Sequence, residues 1–198
     1  MKSNWESLPL NSLVSSVMKG IVPKYASDGD SNTITVLNQK TNRNFRIDYT
    51  LARLNDLTRR KVPVNKQLRA NDILINSTGV GTAGRVAQLH SIPVPTTVDG
   101  HMIIVRPDPD KIDPLYLGYA LKLQQKKIEG LQEGSTGQTE LNRTRLLNEI
   151  EVTFPRDRGD QVEVALLLQS LDRAISTNER INHHLAKMAQ SIYRSWFV

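Results

Sequence analysis

The chain has 198 residues, a formal net charge of +6 and no cysteine. This length is sufficient for one ordinary domain with an additional element, and the lack of cysteine excludes disulfide frameworks, thiolate zinc sites and cysteine nucleophiles. The first residues carry no signal-peptide pattern, and no apolar stretch reaches the ~18 residues that a membrane span needs, so we expect a cytoplasmic protein that does not bind a membrane.

The first elements in chain order are predicted from their apolar patterning. Residues 5–20 predict an N-terminal helix, and "TITVL" at 33–37 predicts a strand. Residues 50–60 predict a short basic helix. Two β-rich runs within 71–90 flank a loop of Gly, Ser and Thr, which indicates a hairpin.

Three further elements complete a mixed domain. "HMIIVRP" at 101–107 predicts a strand, and "DPLYLGYALKLQQKKIEGL" at 113–131 predicts a helix with Pro114 in its first turn. "EIEVTF" at 149–154 alternates charged and apolar residues and predicts another strand. Residues 1–155 are therefore expected to form a mixed α+β domain.

A long helix is predicted for residues 156–198, after the polar hinge "RDRGD". Apolar residues recur there at spacings of three and four with two asparagines at the centre, which is typical of a coiled-coil seam. The seam residues are Val164, Leu168, Leu171, Ile175, Asn178, Asn182, Leu185, Ala189, Ile192 and Trp196. About 36 helical residues extend ~54 Å, which exceeds what a domain with a radius of gyration of ~15 Å can cover, so a partner helix is expected. A helix packed on its own domain is the alternative.

Positive charge is concentrated in residues 40–69. This segment holds nine Lys or Arg and two Asp, a net +7, which leaves −1 for the rest of the chain. Such a concentration is typical of a surface that binds nucleic acid, and a solvated basic face is the alternative. The residues expected to contact DNA phosphates are Arg43, Arg46, Arg59, Arg60, Lys61, Lys66 and Arg69.

The loop of the predicted hairpin is the candidate for base reading. "GVGTAG" at 79–84 imitates a dinucleotide fingerprint, but a β-like run and prolines follow it instead of a helix, so we do not expect it to bind a cofactor. A turn rich in glycine and short hydroxyls can approach a DNA groove closely. The expected base-reading residues are Asn76, Ser77, Thr78, Thr82 and Arg85, with Ser135, Thr136 and Gln138 as a second set for which a turn and helix cap is the alternative.

No catalytic or metal site is predicted. "GSTGQ" at 134–138 lacks the lysine of a P-loop, and the four histidines do not follow a metal-binding spacing. A methyltransferase would need a loop that binds adenosylmethionine and an Asn/Asp-Pro-Pro-aromatic stretch, and the sequence has neither. The chain is therefore expected to be non-catalytic and to bind no cofactor.

Four stretches resemble the specificity subunit of type I restriction-modification systems. "QSLDRAISTNERINHHLAKMAQSIYRSWFV" at 169–198 is similar to the conserved helix of that family. "GSTGQTELNRTRLLNEIEVTFP" at 134–155 resembles the segment that closes its target recognition domain. "NDILINSTGVGTAGRVAQLH" at 71–90 and "DGHMIIVRPDPDKIDPLYLGYAL" at 99–121 resemble the middle of that domain.

The resemblance implies a non-catalytic subunit that reads double-stranded DNA. Family members bind two modification subunits, which carry adenine methyltransferase activity and use S-adenosylmethionine, and added restriction subunits cleave DNA. The usual subunit has two recognition domains and two antiparallel helices, which divide the DNA site into two halves around an unread gap. This chain has one of each, as a natural half-subunit or a shortened form, so two copies in an antiparallel homodimer are expected to restore the arrangement.

Two other functions are weighed against this interpretation. The first is an enzyme that acts on DNA alone, which the missing catalytic motifs disfavour. The second is a helical scaffold that binds only protein, which the net +7 of residues 40–69 disfavours.

Overall fold

The computed structural model describes residues 4–27, 30–134 and 139–197. As predicted, the fold is α+β with a long C-terminal helix. The strands are β1 Trp5–Pro9, β2 Val14–Lys19, β3 Thr33–Leu37, β4 Asn42–Arg43, β5 Arg46–Ile47, β6 Arg53–Asp56, β7 Ile73–Asn76, β8 Val86–Gln88, β9 Thr96–Val98, β10 Met102–Pro107, β11 Gln132–Glu133, β12 Glu140–Leu141 and β13 Glu151–Pro155. The helices are α1 Pro114–Leu123, α2 Gln125–Glu129, α3 Arg143–Glu149 and α4 Arg158–Phe197, with 3-10 turns at Leu10–Ser12, Tyr49–Leu51 and Val64–Lys66. Within the described ranges, the helices are too short or too polar to cross a bilayer.

A four-stranded antiparallel sheet in the order β2-β10-β7-β8 forms the centre of the molecule. Its β7–β8 pair is the predicted hairpin, and β10 is the predicted strand. Successive side chains of a strand point to opposite faces, so Ile103 and Val105 of β10 join one buried cluster and Met102 and Ile104 join another. Both faces of the sheet are therefore covered, which explains the unbroken apolar run in β10.

A three-stranded sheet in the order β6-β3-β9 packs beside the central sheet. β3 pairs antiparallel with β6 and parallel with β9. Leu37 of β3 and Val98 of β9 are fully buried together with Leu74 of β7. This second core joins the two sheets, and it fixes the basic segment, which contains β4, β5 and β6, relative to the hairpin.

Two of the predicted helices are wrong. Residues 5–20 form β1 and β2, joined by a 3-10 turn, because β1 pairs along its whole length with the distant β13. Residues 50–60 contain the end of a 3-10 turn, strand β6 and a turn that follows it. Pairing with β3 extends the backbone of β6 and overrides the local helical pattern.

Helix α4 contains 40 residues and extends for about 60 Å. Its base is anchored by Gln161, whose buried side chain accepts from the backbone N–H of Asp113 (2.8 Å) and donates to the carbonyl of Pro155 (2.8 Å). Asp172 accepts from the hydroxyl of Tyr119 and from Lys122 Nζ at 3.1 and 2.9 Å. From 173 to 197 every side chain of the helix is exposed, although Glu179 still forms an ion pair with Arg46 of β5.

Candidate nucleic-acid interface

The loop between β7 and β8, residues 77–85, is a compact turn. The N–H groups of Thr82 and Ala83 donate to the carbonyl of Gly79 at 3.0 and 2.9 Å, and Gly84 N–H donates to the carbonyl of Asn76 at 2.8 Å. Gly84 has φ +86°, and a Cβ there would lie 2.6 Å from Glu129 Cα. Glycine adopts this backbone conformation without steric cost, so the sequence allows the loop to pack closely on α2.

Two buried asparagines hold this loop against the turn that precedes β4. The Asn76 amide donates to the carbonyl of Gln39 at 3.0 Å, and its oxygen accepts from Asn42 Nδ2 at 3.2 Å. Asn42 Nδ2 also donates to the carbonyl of Arg85 at 2.9 Å. Asn76 and Ser77, both expected to read bases, are fully buried, so they support the loop from inside and present no side chain at the surface.

The other three expected base readers of this loop, Thr78, Thr82 and Arg85, are partly exposed. Thr78 and the ring Nδ1 of His101 are hydrogen-bonded at 2.8 Å, and Arg85 donates from Nη2 to the carbonyl of Gly81 at 3.1 Å. Thr82 and Arg85 line one wall of a cleft of about 510 Å³. The second set of expected base readers, Ser135, Thr136 and Gln138, lies outside the described residues.

The same cleft contains a residue of the basic segment. Arg43 lines it together with Arg85, and the Nε of Arg43 donates to the carbonyl of Lys40 at 3.2 Å. Two guanidinium groups and the Thr82 hydroxyl therefore face one open space. This arrangement offers donors to phosphate oxygens and to the edges of bases.

A second basic surface is formed by the exposed side chains of Arg59, Arg60 and Lys61, in the turn after β6. Asp56 holds this turn, because its carboxylate accepts from the hydroxyl of Thr58 at 2.6 Å and from its N–H at 2.8 Å. The pKa of Asp56 lies below its ordinary value, mainly because the Thr58 hydroxyl donates a hydrogen bond to the carboxylate. The turn lies at the Thr33 end of β3, and this five-residue strand extends about 17 Å to the turn beside the cleft.

The other expected phosphate ligands have different surroundings. Arg46 forms an ion pair at 2.6 Å with Glu179 of α4, and Lys66 donates to the carbonyl of Gly20 at 2.8 Å. Arg69 is exposed beside β7. The basic segment is therefore several surfaces, and Arg46 faces the long helix.

Sequence reasoning missed the tight turn between β4 and β5. Asn44 and Phe45 both have positive φ, 50° and 61°, which is uncommon for a bulky residue. Phe45 lines the cleft and lies 4.9 Å from Lys122 Nζ, measured from its ring centroid. Hairpins of this kind favour Asn-Gly, and the Asn-Phe pair here gave no turn signal in the sequence.

The fold defines a mixed α+β domain with a compact loop beside a cleft lined by two arginines, followed by a long exposed helix. The S subunit of the type I restriction-modification system of M. genitalium has this fold (TM-score 0.64, 19% identity, covering 99% of this chain and 47% of that one). The HsdS subunit of Thermoanaerobacter tengcongensis also has it (TM-score 0.63, 14% identity, covering 91% and 40%). A chain from a structural study of type I R-M complex assembly and conformational transition aligns with TM-score 0.68 and 14% identity, over 98% of this chain and 45% of its own length.

Sequence comparison identifies the family. Residues 2–187 match the family model described as the type I restriction modification DNA specificity domain. The chain is 22% identical over 197 residues to the MjaX specificity subunit assigned to a type I restriction enzyme of Methanocaldococcus jannaschii, a match that covers 98% of the chain and 45% of that protein. The chain therefore belongs to the type I restriction-modification DNA specificity family, as the sequence resemblance indicated. It spans about half the length of the relatives it matches.

Proposed function

We propose that this chain is a DNA-recognition subunit that directs adenine methylation to a split site in double-stranded DNA. Modification subunits supply the methyl transfer with S-adenosylmethionine, restriction subunits add cleavage where they are present, and this chain catalyses neither reaction. The observation that carries the proposal is the cleft that brings Arg43, Thr82 and Arg85 together, in a chain of the specificity family.

Phosphate contacts are assigned to the exposed basic residues and base contacts to the loop. The 59–61 turn follows the Thr33 end of β3, and the turn before Arg43 follows its Leu37 end, ~17 Å along the strand, which exceeds the ~12 Å width of the major groove. They therefore suit phosphates on both strands, while Thr78, Thr82 and Arg85 suit base edges. Ser135, Thr136 and Gln138 keep the base-reading role proposed from the sequence.

Residues 1–155 are proposed as the recognition domain and residues 156–198 as the helix for dimerisation and spacing. The apolar seam of α4 is exposed along most of its length, with Leu171 at 53% and Leu185 at 56%. Two copies packed antiparallel would cover it and place their recognition domains at opposite ends of a spacer about 60 Å long. At ~3.4 Å per base pair this corresponds to roughly 18 base pairs, and a two-fold dimer reads two identical half-sites.

The test is to map methylated adenines in cells that express the chain together with its modification subunit. We expect methylation at a symmetric motif of two half-sites around an unread gap. This methylation should be absent when this chain or the modification subunit is omitted. Methylation by the purified chain alone would instead identify an enzyme. If the chain shows no salt-dependent affinity for duplex DNA, the alternative of a scaffold that binds only protein replaces this function.

A further inference from the structure

An open apolar groove lies at the base of α4, where the helix crosses α1. Its volume is about 780 Å³, and the side chains that line it are mostly apolar or aromatic, among them Tyr116, Tyr119, Leu123, Val164, Leu168 and Leu171. Leu123 is 88% exposed, so the groove is open to solvent. A contiguous apolar surface of this kind marks a site where another element packs.

The apolar side chains at the other end of α4 cannot reach this groove within the same chain. Trp196 and Phe197 are 77% and 71% exposed, and the rings of Tyr193 and Phe197 stack with their centroids 5.3 Å apart. Val164 and Trp196 are 32 positions apart on one continuous helix, a separation of about 48 Å. Each chain therefore carries an open groove and a distant aromatic cluster.

The two central asparagines define how a second copy would align. Buried amides at seam positions pair with each other and fix register, so Asn178 of one copy is set against Asn182 of the other in an antiparallel pair. This alignment brings Trp196 opposite the smaller Val164 and Ala189 opposite the larger Leu171. The facing pairs are Val164–Trp196, Leu168–Ile192, Leu171–Ala189, Ile175–Leu185 and Asn178–Asn182.

We propose that the groove receives the aromatic last turn of α4, Tyr193–Phe197, from a second copy of this chain. The proposal rests on the dimer described above and adds to it a contact on α1, outside the seam. The groove is continuous with the seam, since Val164, Leu168 and Leu171 belong to both. Opposite charges also meet, because Glu151 lines the groove and Arg194 lies in the last turn of the helix.

The antiparallel alignment is tested by disulfide formation, since the native chain has no cysteine. The double variant Leu168→Cys/Ile192→Cys should form covalent dimers on mild oxidation, because these positions face each other across the pair. Within one chain they are separated by 24 residues, about 36 Å, which is far beyond disulfide reach. The single variant Ile192→Cys should stay non-covalent. Rapid crosslinking of that single variant would indicate parallel helices and overturn the proposal.

The groove contact is tested with Leu123→Lys, which leaves the seam intact. We expect the dimer dissociation constant to rise about tenfold or more, because the partner's aromatic residues would then meet a charge. The matched control is Leu54→Lys, at a leucine that is 47% exposed on β6, and it should leave the constant unchanged. Trp196→Ala should weaken the dimer too, and its effect should not add to that of Leu123→Lys.

The outcomes separate this proposal from the dimer itself. If Leu123→Lys leaves the dissociation constant unchanged while Leu171→Lys/Ile175→Lys gives monomers, the groove is not a docking site, although the dimer is retained. A monomeric native chain would overturn both.

Discussion

Arg43 and Arg85 are 42 positions apart in the sequence, yet they line one cleft because two buried amides hold their backbones together. Asn42 donates to the carbonyl of Arg85, and Asn76 donates to that of Gln39. An unpaired buried amide costs about 1–3 kcal/mol, so these contacts select the conformation of the loop as well as stabilise it. The adjacent polar residues Asn42 and Arg43 therefore have different roles: Asn42 stabilises the loop from a buried position, and Arg43 lines the cleft.

Arg85 provides the sharpest test of base reading. Arg85→Ala should relax the methylation motif at one base in each half-site, because a bidentate contact to guanine supplies about 1–3 kcal/mol of discrimination. Sequencing the methylome of the variant measures this directly. The control is Arg69→Ala, at an exposed residue outside the cleft, which should lower occupancy without changing the motif. The same behaviour from Arg85→Ala would reduce its role to a phosphate contact.

The pair of Asp72 and Arg106 should be important for stability. The carboxylate accepts from Arg106 Nε at 2.8 Å and from Nη2 at 2.7 Å, and the two side chains are 1% and 12% exposed. The pKa of Arg106 is raised above its ordinary value, mainly because its side chain donates hydrogen bonds to Asp72. Asp72→Ala leaves a largely buried cation with only the carbonyls of Asn65 and Gln67 and no carboxylate, so we expect a loss of about 3 kcal/mol in the free energy of unfolding, measured with urea.

The control for this stability measurement is an exposed ion pair. Lys111 Nζ lies 3.4 Å from a carboxylate oxygen of Asp108, and its side chain is 52% exposed. Such pairs contribute about 0–1 kcal/mol, so Lys111→Ala should change the unfolding free energy little. A similarly small loss for Asp72→Ala would show that solvent reaches Arg106 more readily than its burial indicates.

At the scale of elements, local pattern predicted the segments whose apolar residues form a continuous run or recur with a clear period. β3, the β7–β8 hairpin, β10, β13 and α4 were all correctly predicted from sequence. Strand β1 could not be predicted in this way, because its partner β13 is about 146 positions away. The pairing with β13 overrides the helix-like spacing of the apolar residues in this segment. The cleft was predicted only in part for the same reason: the hairpin and the basic residues were identified, but their convergence depends on contacts between distant segments.

The turn after β6 should contribute affinity without sequence preference. Changing Arg59, Arg60 and Lys61 to Glu should weaken binding to specific and random duplexes about equally and flatten the salt dependence, because fewer counterions are released. Titrations at several salt concentrations measure both effects.

A variant with the same change in net charge, at three basic residues elsewhere, provides the control for that titration. Lys111, Arg156 and Arg158 are also exposed. Lys111 follows the Pro107 end of β10 and Arg158 donates to the carbonyl of Pro109 at 3.1 Å, whereas the 77–85 loop adjoins the Met102 end of β10. Changing these three residues to Glu should preserve the affinity and its salt slope better than the changes in the 59–61 turn. Equal losses from both variants would indicate that net charge, rather than a defined surface, attracts the DNA.

At the scale of the whole molecule, the seam of α4 is expected to determine the oligomeric state. Leu171→Lys/Ile175→Lys should convert dimers into monomers, because charges cannot be buried between two helices without partners. Light scattering measures the mass. Leu166 is 52% exposed and lies about 200° around the helix from Val164, so Leu166→Lys should remain dimeric. A native mass equal to one chain would contradict the prediction.

The length of α4 should set the length of the unread gap. Seven residues added within 176–184 preserve the seam spacing and lengthen the helix by about 10.5 Å, which corresponds to roughly three base pairs. Mapping methylated adenines should then show the same half-sites about three base pairs farther apart. An unchanged gap would mean that the distance between the recognition domains is set by other contacts.

Because the seam of α4 and the cleft at Arg43 and Arg85 are separate parts of the fold, the proposed dimer has a combinatorial consequence. In the proposed function, the seam of α4 selects the partner chain, whereas the cleft at Arg43 and Arg85 contacts the DNA. Two chains that share α4 but differ in their loops would assemble into three kinds of dimer, two with identical halves and one mixed. The mixed dimer would read a DNA site with two different halves. The number of DNA sequences that such dimers recognise would therefore grow faster than the number of genes that encode the chains.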